Sequence, residues 1–355
     1  MLAPEQLSEV ELLKLLGDLQ WSNLCEVLDS RSSKITNESG ERLYASFISI
    51  HLATGNRACL AAFQEGDPFF AASSLRFFSG QFLEGFIAFD KEPLDGLDGS
   101  SLEANWPSLS VPKVYLTNAL VARVAGNERL KVYRPAGIDG ISVPETATRP
   151  AAIDEHSAVL QSGEIAGIDL AGPVLGNGST AGEPIVFPIV YENDMNGAGL
   201  LYFARYIAMM NFAERNLLRH RSQPSVSHGL VTHLSTVERK VFYFANAPHH
   251  DRVLIHVAMT VAEPGPDSAA TVPSDSVCPL ECLFRHDLFR ESDGELMASS
   301  LVKKRLLVPR RRKGVLAEVE RFKQSLARRT LMALRETPGH PVSPSLGALQ
   351  PKGAN

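Results

Sequence analysis

The sequence predicts an α+β fold built twice from one plan. Three observations carry this. Residues 7–28 form an amphipathic helical stretch, four strand-like runs follow it, and the second half repeats the same order of elements. A helix followed by long antiparallel strands has one apolar face to bury, and a sheet that wraps the helix buries it.

Taken in order, residues 7–28 place Val10, Leu13, Leu16, Trp21, Leu24 and Leu28 at near-helical spacing, and Ser8 followed by Glu11 is a capping-box signature. Residues 41–52 alternate Leu43, Ala45 and Phe47 against polar neighbours, and further strands are expected at 68–78, 82–89 and 111–124. Residues 136–183 are rich in Gly, Pro, Ala and Thr, with only a weak periodic stretch around 157–168, and read as a linker or crossover. A strand at 184–191, a helix at 200–219 and strands at 238–244, 253–260, 280–290 and 296–307 then repeat the pattern. The segment 263–276, EPGPDSAATVPSDS, reads as an exposed insertion. Residues 313–335 predict a basic amphipathic helix with Leu316, Val319, Phe322, Leu326 and Leu334 on one side, and the proline-containing 337–355 reads as disordered. The division is 1–135, 136–183, 184–307 and 308–355.

Composition narrows the function classes. A chain of 355 residues suits two cores at about 100–200 residues per domain. With 44% hydrophobic and 21% charged residues it is neither a disordered nor a fibrous chain. No run approaches the roughly 18–20 apolar residues of a membrane span, and the acids near the N-terminus do not suit a signal peptide, so a cytoplasmic protein is expected. Of four cysteines only Cys278 and Cys282 are close, without a second pair or histidines at ligand spacing, so no metal is expected. The net charge of −5 conceals an asymmetry: residues 303–335 hold 12 basic and 2 acidic residues, and residues 1–302 hold 22 and 37. Such a segment can meet nucleic acid, an acidic protein or the chain's own acidic body; no zinc-finger, RNP or helix-turn-helix signature supports nucleic acid.

The most informative stretch is 191–220, where a strand ends in a polar turn containing Gly197 and Gly199 and a helix follows. Helix-start N–H groups beside such a turn can bind an acyl carbonyl oxygen; the alternative is an ordinary strand-to-helix turn with an Asn cap. The segment from Gly199 to Tyr206, GLLYFARY, resembles the glycine-to-tyrosine segment of the hot-dog superfamily, whose chemistry is that of acyl thioesters. Three residues before Gly199, where thioesterases of that type carry a catalytic Asp, this chain has Asn196, which cannot serve as a carboxylate base. Asp194 lies two residues earlier and substitutes only if the turn is rearranged.

A narrower resemblance spans most of residues 7–307. The first helix, the block GERLYASF at 40–47, the turn DMNGAGLLYFA at 194–204 and KVFYFANA at 240–247 are similar to the double hot-dog family of the leinamycin-pathway bifunctional acyltransferase/decarboxylase. That resemblance implies transfer of an acyl group from malonyl- or methylmalonyl-CoA to an acyl carrier protein with decarboxylation, in polyketide-type secondary metabolism and without a cofactor. The family's acyl-handling tyrosine matches Tyr44, as nucleophile or hydrogen-bond donor; the alternative is a strand tyrosine packing on the helix. Decarboxylation needs a water-poor pocket and donors to the enolate oxygen, which Asn196 and the Gly197–Gly199 amides are expected to supply. The expected site is therefore Tyr44 and Asn196 as catalytic residues, with Asp194, Gly197, Gly199, Tyr202 and Tyr206 binding substrate. The strand and turn expected before the first helix are largely absent: either the start is truncated or the first half lost a strand, and a true loss would leave the first half mainly structural.

Other candidates are weaker. His249-His250-Asp251 reads as a hairpin turn, Glu214 as either a site residue or a solvated helix carboxylate near Arg215, and Ser46 and Ser235 lack a nucleophile elbow. The rival functions are a hot-dog thioesterase or dehydratase, and a non-catalytic module that binds acyl chains or carriers through basic residues 303–335. Acyl-CoA and acyl carrier protein are the expected partners, and monomer and homodimer are both compatible with a tandem chain.

Overall fold

A computed structural model describes residues 2–3, 6–124, 129–140, 142–180, 183–197, 199–221 and 226–336; the tail expected at 337–355 lies outside them. Two short strands, β1 (Leu2–Ala3) and β2 (Gln6–Leu7), pair and lead into helix α1 (Glu9–Val27). One arm of the capping box forms, the Glu11 N–H donating to Ser8 Oγ at 3.3 Å. Four strands follow, β3 (Leu43–Ala53), β4 (Phe70–Phe78), β5 (Phe82–Asp90) and, after α2 (Gly99–Asn105), β6 (Lys113–Val124). Strand β7 (Arg129–Val132) pairs with β6, and β8 (Glu145–Thr146) adds to β4. Within 136–183 the chain also forms helix α3 (Ala151–Ser162), ended by Gly163 in the left-handed region, and strand β9 (Val174–Ser179).

The second half runs β10 (Ile185–Pro188), α4 (Tyr191–Asp194), α5 (Phe203–Asn216), α6 (His228–Val231), β11 (Leu234–Tyr243), β12 (Arg252–Ala262), α7 (Pro266–Ala270), β13 (Ser276–Arg290), β14 (Leu296–Pro309) and α8 (Lys313–Glu336). The strands join one sheet in the order β10-β12-β13-β14-β11-β3-β6-β5-β4-β8, with β9 on β12. Outward from the β11–β3 pair the order is β11, β14, β13, β12 on one side and β3, β6, β5, β4 on the other. The duplication expected from sequence is thus written in the topology: an α+β double hot-dog, each half an antiparallel sheet around its own long helix.

The two halves share an irregularity that sets their geometry. Register shifts in β3 between Phe47 and Ser49 against β6, and in β11 between Thr236 and Glu238 against β14. A bulge changes which residues face inward. Leu43 faces the core before the β3 bulge, and Ile50 and Leu52 after it. The seam between halves pairs Glu238–Phe242 of β11 with Ala53–Ser49 of β3, so below Ser49 the two strands part.

Helices α1 and α5 pack together inside this sheet. Gly17 makes the approach possible, since a Cβ there would lie 2.7 Å from Phe203 Cζ. Phe203 stacks on Phe47 with ring centroids 3.9 Å apart. A buried ionic network also ties α1 to the second half: Arg239 Nε donates to Glu9 Oε1 at 2.6 Å, Arg239 NH2 to Asn211 Oδ1 at 2.9 Å, and the Lys304 ammonium pairs with Glu214.

The basic run read from sequence divides in two. Lys303, Lys304 and Arg305 lie on β14 and pair with Glu281, Glu214 and Glu281 respectively, whereas Arg310, Arg311, Arg312 and Lys313 are exposed. Arg305 also donates to Ser268 Oγ at 2.9 Å and Thr271 Oγ1 at 2.9 Å, which anchors the 263–276 insertion to the sheet. Helix α8 is docked through Val319, Phe322 and Leu326, all buried in the main core.

Candidate functional site

Where β3 and β11 part, a cavity of about 200 Å³ opens between the halves. Its walls are α1 (Gly17, Asp18, Gln20, Trp21, Leu24), the start of β3 (Tyr44 to Phe47), Leu83 and Asn118 of β5 and β6, the turn and first residues of α5, and the end of β11. The fork exists because β11 leaves the sheet after Tyr243 while β3 continues on β6 alone.

The structure gathers Tyr44, Asn196, Tyr202 and Tyr206 in this wall. It does not gather the other three residues expected there. Asp194 is fully buried beneath the turn, its Oδ1 accepting from Arg205 Nε at 2.6 Å and its Oδ2 from the Val190 N–H at 2.7 Å. A carboxylate held this way organises the turn and is not presented to the cavity. Gly197 is exposed outside the lining. Gly199, with φ +68°, closes the turn by donating its N–H to Asn196 O at 2.9 Å.

Of the amides expected as oxyanion donors, that of Gly199 is thus spent on the turn, and the three that follow it are spent as well. The Leu200 N–H donates to Asn196 Oδ1 at 3.0 Å, the Leu201 N–H to Asn246 Oδ1 at 2.9 Å and the Tyr202 N–H to Asp194 O at 2.7 Å. Asn196 therefore braces the turn through its side chain and also lines the cavity, while the N-cap of α5 is Tyr202, which makes no side-chain cap bond.

Three tyrosines of the wall, Tyr202, Tyr206 and Tyr243, are neutral phenols. Burial pushes the Tyr202 phenol up to about 12, with Asp18 and Glu11 adding to the rise. Burial also raises Tyr206 and Tyr243. Tyr206 Oη donates to Ala245 O at 2.9 Å and Tyr243 Oη to Phe203 O at 3.3 Å, which brace α5 against the end of β11. Tyr44 lies under the Arg42 guanidinium, 5.0 Å from ring centroid to Cζ. Ser46 joins the lining, and Ser235 Oγ instead accepts from the Ala61 N–H at 3.0 Å. Among the lining residues the polar groups are carboxamides and hydroxyls, and Asp18, exposed on the rim, is the carboxylate.

A second cavity, about 220 Å³, lies at the other end of the helix pair. It is lined by Gln6 to Val10 before and in α1, by Asn211, Glu214 and Arg215 of α5 and Leu218 just after it, and by Thr236 and Lys304. Helix start, partner helix and bulged strand recur here with the halves exchanged, so the two cavities are related by the duplication. Glu214 belongs to this one, ion-paired and 2% exposed rather than solvated. His249 and His250 sit between β11 and β12, and among the described residues no cluster of three or more His, Cys, Asp or Glu has metal-holding geometry.

Five polar cavity residues escaped the sequence reading: Asp18, Gln20, Asn118, Tyr243 and Asn246. Asn118 had a signal, since it interrupts the apolar row Val114, Leu116, Leu120, Ala122 at the spacing of one strand face. Gln20 interrupts the helical row Leu16, Leu24 in the same way.

No family model matches the sequence and no curated protein matches it significantly. Among solved structures, the chain is similar to an acyl-ACP thioesterase from Bacteroides thetaiotaomicron, at 12% identity over 86% of this chain and 92% of that one, with a TM-score of 0.42. It is also similar to the 12:0-ACP thioesterase from Umbellularia californica, at 9% identity over 85% and 91%, with a TM-score of 0.43.

Proposed function

We propose that this chain is an enzyme that binds an acyl thioester in the fork cavity and processes it there. The observation that carries the reading is the placement of the α5 amino end. That end has no side-chain cap, and Tyr202 and Phe203 at its start line a largely uncharged cavity that runs between α1 and β3, so the helix turns its positive end to the cavity although the Arg205 N–H is spent on Tyr202 O at 2.8 Å. A thioester carbonyl at the helix start receives that dipole, and the acyl group lies among Leu24, Leu83 and Phe47.

Hydrolysis is the first reaction to test. Water attacks the thioester carbonyl, Asp18 takes its proton, and the thiolate leaves as the C–S bond breaks. The expected result is free thiol from acyl-CoA, with D18N slowing kcat by roughly 10²-fold or more and leaving the melting temperature unchanged.

The second reading is decarboxylation with acyl transfer, and a specific observation favours it: apart from Asp18 on the rim, the lining carries no carboxylate. In that reaction the bond to the departing CO₂ breaks and its electron pair passes to the thioester enolate, whose carbon then takes a proton, so that step needs no strong base. The carrier's thiol then attacks the thioester carbonyl, a new C–S bond forms, the bond to CoA breaks, and CoA leaves as the thiol with the carrier's proton. Intact-mass analysis separates the two. Methylmalonyl-CoA with a carrier protein gives a propionyl-carrier in the second case, and free CoA with unmodified carrier in the first. A panel of acyl-CoAs that neither turns over nor binds rejects both.

A further inference from the structure

Two polar side chains in the fork cavity have no role in the chemistry above. On β6 the inward row Val114, Leu116, Asn118, Leu120, Ala122 is apolar except for Asn118, which is wholly buried. On α1 the row Leu16, Gln20, Leu24 is apolar except for Gln20, which is 5% exposed. Asn118 Oδ1 and Nδ2 and Gln20 Nε2 have no hydrogen-bond partner among the described residues. Buried polar atoms are rarely left in this state, and a cluster of them in a cavity wall calls for an explanation.

The duplication supplies an internal comparison. Gln20 and Glu214 are each the twelfth residue of their helix. Asn118 and Lys304 each lie opposite the last residue before the strand bulge, Phe47 and Thr236. In the second half these two positions satisfy one another as the Lys304–Glu214 ion pair. In the first half both are uncharged amides of the cavity wall, and three of their atoms are buried there without a partner among the described residues.

We propose that Asn118 and Gln20 are specificity-determining residues that select an acyl group carrying a neutral hydroxyl, an inference that rests on the acyl-thioester reading of the same cavity. Asn118 Nδ2 and Gln20 Nε2 offer two donors and Asn118 Oδ1 one acceptor. A hydroxyl, which gives one hydrogen bond and accepts up to two, fits that set. A plain alkyl chain leaves all three atoms unpaired, and a carboxylate sets two oxygens against Oδ1 with no proton between them.

The test compares butyryl-CoA with 3-hydroxybutyryl-CoA and 4-hydroxybutyryl-CoA by calorimetry on the full chain. One of the hydroxy esters is expected to bind on the order of 10–100-fold more tightly than butyryl-CoA, because a site built to pair a hydroxyl rejects the analogue lacking it. N118L is expected to erase that preference, to keep butyryl-CoA affinity within about threefold, and not to lower the melting temperature, since an apolar near-isostere replaces an unpaired amide. Q20L should reduce the preference in the same direction. Equal binding of all three esters overturns this proposal and leaves the acyl-thioester reading standing. Binding of none overturns that reading as well. A hydroxyl preference that survives N118L, with a lower melting temperature, shows Asn118 to be an internal structural group and also overturns the proposal.

Discussion

Asp194 and Asn196 stand two residues apart in one turn and do different work. The first is a buried counter-charge to Arg205, and the second braces the turn and also faces the cavity. Titration at this scale is governed by the second half's buried network. Burial alone would raise the Glu214 carboxyl, but the Lys304 ammonium, with His286 and Arg239 beside it, holds it well below the usual carboxylate range. Burial lowers the imidazoles of His286 and His156. In all three groups the folded value lies below the unfolded one, so on acidification the unfolded chain takes up protons first and stability falls. Urea midpoints are expected to be flat above about pH 7, to drop as pH falls through 6.5, the ordinary histidine value, and to drop again below 4.5, that of a glutamate. H286Q should reduce the first loss and leave the second. A protein that gains stability between pH 8 and about pH 5 would contradict this assignment.

At the scale of elements, the site depends on how closely α1 approaches α5. Gly17 is a poor helix former by about 1 kcal/mol relative to alanine, so G17A on a free helix would stabilise. Here the new methyl meets the Phe203 ring, which is itself stacked on Phe47. The expected outcome is a net loss of about 1–2 kcal/mol in chemical denaturation, together with weaker acyl-thioester binding, because Phe203 and Gly17 both line the cavity. The long helices α1, α5 and α8 and most long strands were legible as periodicity, whereas α3 and β9 fall in 136–183, which reads as a linker. The bulges near Ile48 and Val237 were not legible, because a bulge is fixed by what the neighbouring strand does. They nevertheless place Asn118 and Lys304 across from the helices.

At the scale of the whole molecule, charge is partitioned by the sheet. Residues 303–305 belong to the interior of the second half, so a count along the sequence overstates the basic surface. What remains outward is Arg310 to Lys313 and the exposed side of α8. If an acidic carrier delivers the acyl group, these residues steer it. R311E/K313E is expected to slow association with an acidic carrier protein by roughly 3–10-fold at low salt, with the difference disappearing near 1 M salt. An association rate that the double variant leaves unchanged at low salt would remove this surface from the docking step. The variant is preferable to deletion of the helix, because Val319, Phe322 and Leu326 are part of the core and their loss would be a stability experiment.

The sequence by itself determined most of the long secondary elements, their repetition in two halves and the tyrosine-rich turn at the start of α5, because these follow from local periodicity and capping, which a chain carries wherever it folds. Only the tertiary structure decided which polar residues face the cavity. Asp194 and Glu214 are neutralised by Arg205 and Lys304, partners 11 and 90 residues away. Gln20 and Asn118, nearly a hundred positions apart, line one wall with amide atoms unpaired. Whether a buried polar group is satisfied is a property of its neighbours in space, and spacing along the chain does not contain it.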